Sequence, residues 1–133
     1  MIVADTNIIS YLALPCEYTA LAERLLLAEP EWVAPLLWRS EFRNVLALYM
    51  RKGLITLEKA LAILAETEAM FSGREYEVSS LDVMALVKES NCSAYDCEFV
   101  ALAQGLGIRL VTMDKRLARD FPETVLLLAE LDL

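Results

Sequence analysis

The hydrophobic pattern of the chain changes its period repeatedly, and this alternation constrains the fold more than any other feature. Short β-like apolar runs alternate with longer segments whose apolar residues recur at helical spacing. No repeat, low-complexity tract or Pro/Gly/Ser-rich linker separates them. Strands separated by helices pair in parallel through crossovers, which cover both faces of the sheet. The pattern therefore predicts an α/β fold, a three-layer α/β/α sandwich around a mainly parallel central sheet.

The individual elements can be placed from periodicity, caps and breakers. Strands are predicted at Met1–Ala4, Trp32–Ala34, Glu77–Val78, Arg109–Met113 and Thr124–Leu128. Helices are predicted at Asn7–Leu14, Thr19–Ala28, Pro35–Lys52 and Lys115–Asp120, and three more, capped by Thr56, Ser80 and Ser93, run to about Met70, Glu89 and Gln104. A length of 133 residues with 57% hydrophobic content fits one compact domain, residues 1–133.

Composition excludes several kinds of chemistry. The chain has no histidine, which removes the usual general base near neutral pH and the commonest transition-metal ligand. Cys16, Cys92 and Cys97 are odd in number and lack CxxC spacing, so they indicate neither a disulfide framework nor a zinc site. No apolar run approaches the roughly 18 residues of a membrane helix, and the amino terminus does not resemble a secretory signal. We expect a cytoplasmic protein without a membrane partner.

The net charge of −8 argues against a nucleic-acid site built from a basic patch. A phosphate held through carboxylate-bound divalent cations escapes this objection, because each cation supplies local positive charge. An acidic surface also suits a basic protein partner.

Four acidic residues stand where a parallel sheet would bring them together. Asp5 and Asp114 each follow a predicted strand and precede a helix, and the carboxyl ends of parallel strands share the edge where ligands bind. Asp96, near the start of its helix, and Glu41, early in its own, are expected to converge on that edge. Because carboxylates repel one another, this arrangement favours a hard divalent cation, Mg²⁺ or Mn²⁺.

Each acid also has a purely structural interpretation. Asp5 and Asp114 suit helix caps, and Asp96 stands three residues after Ser93 as in a capping box. Glu41 has apolar neighbours on its helix face and needs a partner, which a Lys or Arg would also supply. Three polar residues are expected to support a ligand or its water, with capping and turn bonding as their alternative role: Thr6, Asn7 and Thr112.

The segments that carry these acids resemble the PIN-domain family and, within it, the VapC-type toxins of bacterial and archaeal toxin–antitoxin pairs. The segments are IVADTN, PLLWRSEFRNVL around Glu41, SAYDCEFVALAQGLGI around Asp96, and RLVTMDKRL around Asp114. They cover nearly the whole chain, in the family's order and approximate spacing. The resemblance implies a PIN-like fold and a Mg²⁺- or Mn²⁺-dependent RNA endonuclease. It implies catalytic positions for all four acids, with Asp5 and Asp96 as the first metal ligands and Glu41 and Asp114 as further candidates.

Two residues after Asp96 depart from the family's pattern. Cys97 and Glu98 stand where small or apolar residues are more familiar. Glu98, at i+2 from Asp96, is expected to point to another side of the helix and to be solvated. Thr112 follows the family, which often has a hydroxyl two residues before the acid equivalent to Asp114.

The hypothesis that follows is in-line hydrolysis of an RNA phosphodiester by a metal-activated water, without a covalent protein intermediate. Three basic residues just past the fourth acid are candidates to guide the RNA backbone, or form a solvated basic helix face: Lys115, Arg116 and Arg119. The resemblance also implies an antitoxin partner, with an amphipathic segment and a basic residue for the acidic pocket. It implies a homodimer, to which Trp38, Phe42 and Tyr49 would contribute if exposed; core packing is their alternative.

Two other function classes remain open at this point. Asp5 follows a strand as a phosphoryl-accepting aspartate would. A haloacid-dehalogenase-like hydrolase would carry a second acid where Asn7 stands, and a receiver domain would place its acceptor after a middle strand, yet no Asp closely follows Val78. The second class is a non-catalytic PIN-like binding module, against which the presence of all four acids speaks.

Overall fold

The computed structural model describes all 133 residues and contains five strands and seven α-helices. The strands are β1 (Ile2–Ala4), β2 (Trp32–Pro35), β3 (Glu75–Tyr76), β4 (Arg109–Thr112) and β5 (Val125–Leu127). The helices are α1 (Thr6–Ala13), α2 (Thr19–Ala28), α3 (Leu37–Arg51), α4 (Leu57–Met70), α5 (Ser80–Glu89), α6 (Ala94–Leu106) and α7 (Lys115–Asp120). A 3-10 turn, Leu128–Glu130, follows β5.

All five strands are parallel and lie in the order β3-β2-β1-β4-β5. The chain moves outward from β1 to β2 and β3, then returns to the other side of β1 for β4 and β5. Because parallel crossovers are right-handed, α1 to α4 cover one face and α5 to α7 cover the other. Helix α6 packs on β1, β2 and β4, and α3 packs on β2 and α4. The predicted three-layer α/β/α sandwich is confirmed.

Strands β1 and β2 are buried along their whole length, as a sheet covered on both faces requires. Val3 and Ala34 have no exposed surface. The same holds for Trp38 and Phe42 on α3, and the ring of Trp38 packs 4.9 Å from that of Phe71. Trp38 and Phe42 therefore have the core-packing role, and neither offers surface to a dimer. Tyr49, on the same helix, is only partly buried.

Two predicted boundaries differ because pairing with a distant strand decides them. Pro35 ends β2 instead of starting the helix, and its extended conformation lets the Leu36 N–H donate to the Tyr76 carbonyl at 3.0 Å. The third strand is Glu75–Tyr76 and not Glu77–Val78, because the Ala34 N–H bonds to the Arg74 carbonyl at 3.1 Å and sets this register.

The helix caps are predicted correctly at two of the three positions. The Thr56 hydroxyl accepts from the Lys59 N–H, and the Ser93 hydroxyl accepts from the Asp96 N–H, each at 3.1 Å. Helix α5 is capped by Ser79 and not by Ser80, because the Ser79 backbone is extended while Ser80 is already helical. Gly107, with φ of 67°, ends α6 in the left-handed conformation that glycine adopts without strain.

The sheet has one topological switch point, between β1 and β4. The connections leave these neighbouring strands in opposite directions, and in open α/β sheets this opens a crevice at their carboxyl ends. Asp5 directly follows β1, and Asp114 lies two residues after β4. None of the helices combines the length and apolar character needed to cross a membrane.

Candidate active site

Asp5 joins the ends of two strands and the start of a helix. Its N–H donates to the Val111 carbonyl at 3.1 Å, which ties it to β4. One carboxylate oxygen accepts from the Thr6 N–H at 2.8 Å and caps α1, and the other accepts from the Thr112 hydroxyl at 2.6 Å. The cap interpretation is therefore correct for only one of the two oxygens.

The environment of Asp5 opposes its ionisation. The residue is 8% exposed, and burial raises the pKa of its carboxyl to about 6. The hydrogen bonds from Thr112 and Thr6 lower this pKa, whereas the nearby charges of Glu41 and Asp96 raise it. A buried acid beside two other acids needs a proton or a cation to balance it near neutral pH.

Glu41 lies in the second turn of α3 and is half-buried. Its Oε1 accepts from the Thr6 hydroxyl at 2.7 Å. Glu41 takes part in none of the ion pairs of the structure, so a Lys or Arg partner does not explain it. Burial raises the pKa of Glu41, and the charges of Asp96 and Glu98 raise it further.

Asp96 stands in the first turn of α6, where its N–H bonds to the capping hydroxyl of Ser93. No reciprocal bond joins its carboxylate to the Ser93 backbone N–H, so the capping-box interpretation is not what the structure shows. Burial raises the pKa of Asp96, the charge of Asp114 adds to this rise, and Ser93 and Arg116 oppose it. Asp96 is thus within electrostatic reach of the other three acids.

Asp114 caps α7, and Thr112 links it to Asp5. The Asp114 carboxylate accepts from the Arg116 N–H at 2.8 Å, and its own N–H donates to the Thr112 hydroxyl at 3.1 Å. Thr112 is fully buried, and its hydroxyl also accepts from the Asn7 amide at 3.4 Å while donating to Asp5. One hydroxyl thus connects both sides of the switch point.

Asn7 contributes an oxygen without a protein partner. Its Oδ1 is buried and accepts no hydrogen bond, although buried polar atoms are almost always paired. It belongs to the side chain whose amide reaches Thr112, beside Asp5. An unpartnered oxygen next to carboxylates suits a hard cation or a water held by one.

The donor set therefore fits Mg²⁺ or Mn²⁺, which prefer carboxylate, amide and water oxygens. The structure contains no group of three or more acidic or thiol side chains that could by themselves form a cage around a metal ion. A closed cage is not what Mg²⁺ requires, because it usually keeps several waters and binds through one or two carboxylates.

The prediction that Glu98 is solvated is wrong, because the side chain is half-buried. Burial raises its own pKa, and its charge raises that of Glu41. The two-residue spacing separates Glu98 from Asp96 on the surface of α6, but it does not reveal which neighbouring side chain each one meets. Glu98 belongs to the surroundings of the acidic site.

The three basic residues of α7 differ in their relation to the acids. Arg116 lowers the pKa of Asp96 and is therefore near it. Lys115 is exposed. Arg119 is largely exposed, and its Nε lies 3.8 Å from Asp120 Oδ1. Arg116 is the one whose charge reaches the acidic site.

A pocket of about 340 Å³ adjoins the acidic site and was not predicted. Asn7 and Tyr11 line it from α1, and Val45 and Tyr49 line it from α3. A signal existed in the sequence: Tyr11 follows Asn7 by four residues, and Val45 follows Glu41 by four, which places each pair on one helix face. The pairs indicate a surface that continues along both helices from the acids.

Comparison with known proteins assigns the family. Residues 2–121 match the PIN domain family. The chain is 32% identical over 127 residues to Ribonuclease VapC3 of Pyrobaculum aerophilum, covering 93% of this chain and 97% of that protein. Its fold is similar to that of FitAcB from Neisseria gonorrhoeae (TM-score 0.74, 20% identity, 98% of this chain and 100% of that one). It is also similar to a toxin–antitoxin complex from Klebsiella pneumoniae (TM-score 0.69, 20% identity, 98% and 100%). The chain therefore belongs to the PIN-domain family.

Proposed function

We propose that the protein is a metal-dependent endoribonuclease, the toxin of a toxin–antitoxin pair, which acts by hydrolysing RNA phosphodiester bonds. The observation that carries the proposal is that Asp5, Glu41 and Asp114 each lie within electrostatic reach of Asp96, beside the one switch point of the sheet. A relative with 32% identity along nearly the whole chain is named a ribonuclease, which supports the same reaction.

In this proposal Asp5 and Asp96 hold Mg²⁺ or Mn²⁺, and Asp114 is a further candidate ligand. When bound, the cation supplies positive charge for the phosphate and increases the acidity of a nearby water. Thr112 keeps Asp5 available as an anion, because its hydroxyl bond lowers the pKa that burial has raised. The unpartnered Oδ1 of Asn7 offers one more oxygen to the site.

Glu41 is the best-placed general base in a chain without histidine. Its raised pKa brings the carboxylate closer to the operating pH, where proton acceptance is most effective. The Thr6 hydroxyl holds one of its oxygens and thereby orients the other. Glu41 takes a proton as the water oxygen bonds to phosphorus, and the bond to the leaving ribose oxygen breaks in line. That oxygen is then protonated from solvent.

The partners follow from the same assignment. One structure with this fold is described as a toxin–antitoxin complex, and a net charge of −8 suits a partner with a basic residue. We assign an antitoxin whose basic side chain enters the acidic site, and a homodimeric assembly in the cytoplasm.

The test is cleavage of a mixed pool of cellular RNA by the purified protein in Mg²⁺, Mn²⁺ or EDTA. Asp96→Asn keeps the shape of the side chain and removes its charge, and we expect at least a hundredfold loss of cleavage. Asp82→Asn is a matched control, because Asp82 is an exposed acid that also stands three residues after a capping serine, Ser79. It should cleave normally. Folded, metal-binding protein that leaves the whole pool intact would instead favour a non-catalytic binding module.

A further inference from the structure

The pocket beside the acidic site, here called the tyrosine pocket, carries three aromatic side chains. Tyr11 comes from α1, Tyr18 directly precedes α2, and Tyr49 comes from α3. The rings of Tyr11 and Tyr18 lie 4.9 Å apart and are tilted by 43°. All three are only partly buried, so ring surface remains accessible. The volume of about 340 Å³ lies at the lower end of the range for ligand pockets, roughly 300–1,000 Å³.

The tyrosine pocket adjoins the acidic site through Asn7. Asn7 lines the pocket, and its amide bonds to Thr112, which in turn bonds to Asp5. On the opposite wall, Tyr49 lies two helical turns after Glu41 on α3. A phosphate at the acids and a group in the pocket would therefore belong to neighbouring parts of one ligand.

The lining of the pocket selects the chemistry of that group. No Lys or Arg lines it, so it offers nothing to a second phosphate. It offers aromatic faces and the carboxylate of Glu17. Unpaired bases of RNA stack on tyrosine rings, and their amino groups can donate hydrogen bonds to a carboxylate. A nucleobase satisfies both requirements, whereas an aliphatic peptide side chain would leave the polar atoms unused.

We propose that the tyrosine pocket receives one unstacked nucleobase of the RNA, next to the phosphate held at the acidic site. The inference rests on the proposed ribonuclease function and adds the means by which the substrate is positioned. Stacking works for every base, so the pocket would favour unpaired over paired RNA more than one base over another.

Tyr18 is the side chain with which to test this, because it lies at a helix start and outside the apolar core. Binding is measured with a fluorescent mixed-sequence RNA of about twelve nucleotides and with an abasic strand of the same length, in Mg²⁺ and in the Asp96→Asn background to prevent cleavage. Adding Tyr18→Ala should weaken binding of the RNA about tenfold, the loss of one stacked base. Binding of the abasic strand should not change, and Tyr18→Phe should retain the affinity for RNA.

Equal affinity of the Tyr18→Ala and parent proteins for the RNA would overturn the proposal, provided that both have the same thermal unfolding temperature. If the Tyr18→Ala protein does not fold, Tyr18→Leu is tested in its place, because leucine fills the space without an aromatic face. The expected result is again weaker binding of the RNA and unchanged binding of the abasic strand. Unchanged RNA binding, together with loss of the protein that copurifies from native cells, would make the pocket a protein-docking site and would also overturn it.

The cleavage assay separates the two proposals. Base-dependent RNA binding that Tyr18→Ala weakens, in a protein that cleaves no RNA, would overturn the ribonuclease function and support the pocket. Normal cleavage and binding by Tyr18→Ala would overturn the pocket alone.

Discussion

Thr112 shows how much of the acidic site depends on a single uncharged residue. It is fully buried at the end of β4, and its hydroxyl donates to Asp5 and accepts from the amide of Asn7 and the N–H of Asp114. Donation to Asp5 stabilises the anion, because a hydrogen bond to the charged form lowers a pKa. Thr112 therefore acts on the charge state of the site as well as on its geometry.

Replacing Thr112 by valine tests this role, because valine has nearly the same shape and no hydroxyl. We expect the pKa of Asp5 to rise above about 6, so that the pH midpoint of RNA cleavage moves upward. We also expect a loss of about 1–3 kcal/mol in stability from the groups left unpaired. Thr112→Ser should retain the wild-type midpoint. A stability loss with an unchanged midpoint would show that the hydroxyl is only structural.

At the scale of elements, helix starts concentrate the acids at one edge of the sheet. Asp5 and Asp114 cap α1 and α7, and Asp96 lies in the first turn of α6. Carboxylates are favoured there, because the first turn of a helix exposes unpaired N–H groups and a partial positive charge. Capping and ligand binding are therefore compatible roles, because an acid can accept the capping hydrogen bond with one carboxylate oxygen and bind a ligand with the other.

Helix α7 also brings a positive charge close to these acids. Arg116→Ala should raise the pKa of Asp96, whose value Arg116 lowers. It should weaken RNA binding and reduce the dependence of log affinity on log salt concentration by about one, as expected for one lost phosphate contact. Arg119→Ala is the control, because Arg119 lies beside Asp120 and is largely exposed. Equal effects of the two substitutions in a salt titration would contradict a specific role for Arg116.

At the scale of the whole molecule, the acidic site makes stability depend on pH. The pKa of Asp5 is about 6 in the folded protein, against an ordinary value of 3.8. The folded state therefore binds the proton more tightly than the unfolded chain does. Stability is greatest below about pH 4 for this group and is lost as the pH rises through about 6. The raised pKa values of Glu41, Asp96 and Glu98 act in the same direction.

Asp5→Asn removes this penalty and keeps a good capping residue. In EDTA at pH 7.5 we expect the variant to be more stable than the wild type by about 2–3 kcal/mol in urea unfolding, with the difference vanishing near pH 4. Mn²⁺ should raise the unfolding temperature of the wild type more than that of the variant, since only the wild type retains the full ligand set. NaCl of equal ionic strength is the control. A variant less stable than wild type at pH 7.5 would show that ionised Asp5 is stabilising without metal.

The alternation of strands and helices, and the acids at strand ends and helix starts, could be predicted from the sequence because both are local features. The period of apolar residues specifies each element, and a parallel sheet places the residues after β1 and β4 at the same edge whatever their separation along the chain. Asp5 and Asp114 are therefore neighbours by topology. Ser93, with its cap on α6, is a local signal of the same kind.

Only the tertiary structure decided which side chains meet across elements. Pairing with β2 moved the third strand to Glu75–Tyr76. The packing of α6 brought Glu98 within electrostatic reach of Glu41. The burial of Thr112 at the end of β4 let its hydroxyl bond to Asp5, Asn7 and Asp114. The tyrosine pocket needs Tyr11, Tyr18 and Tyr49, whose distances in sequence carry no information about their contact. Local patterns state which face a residue occupies, but the partner on that face depends on how distant segments share the same space.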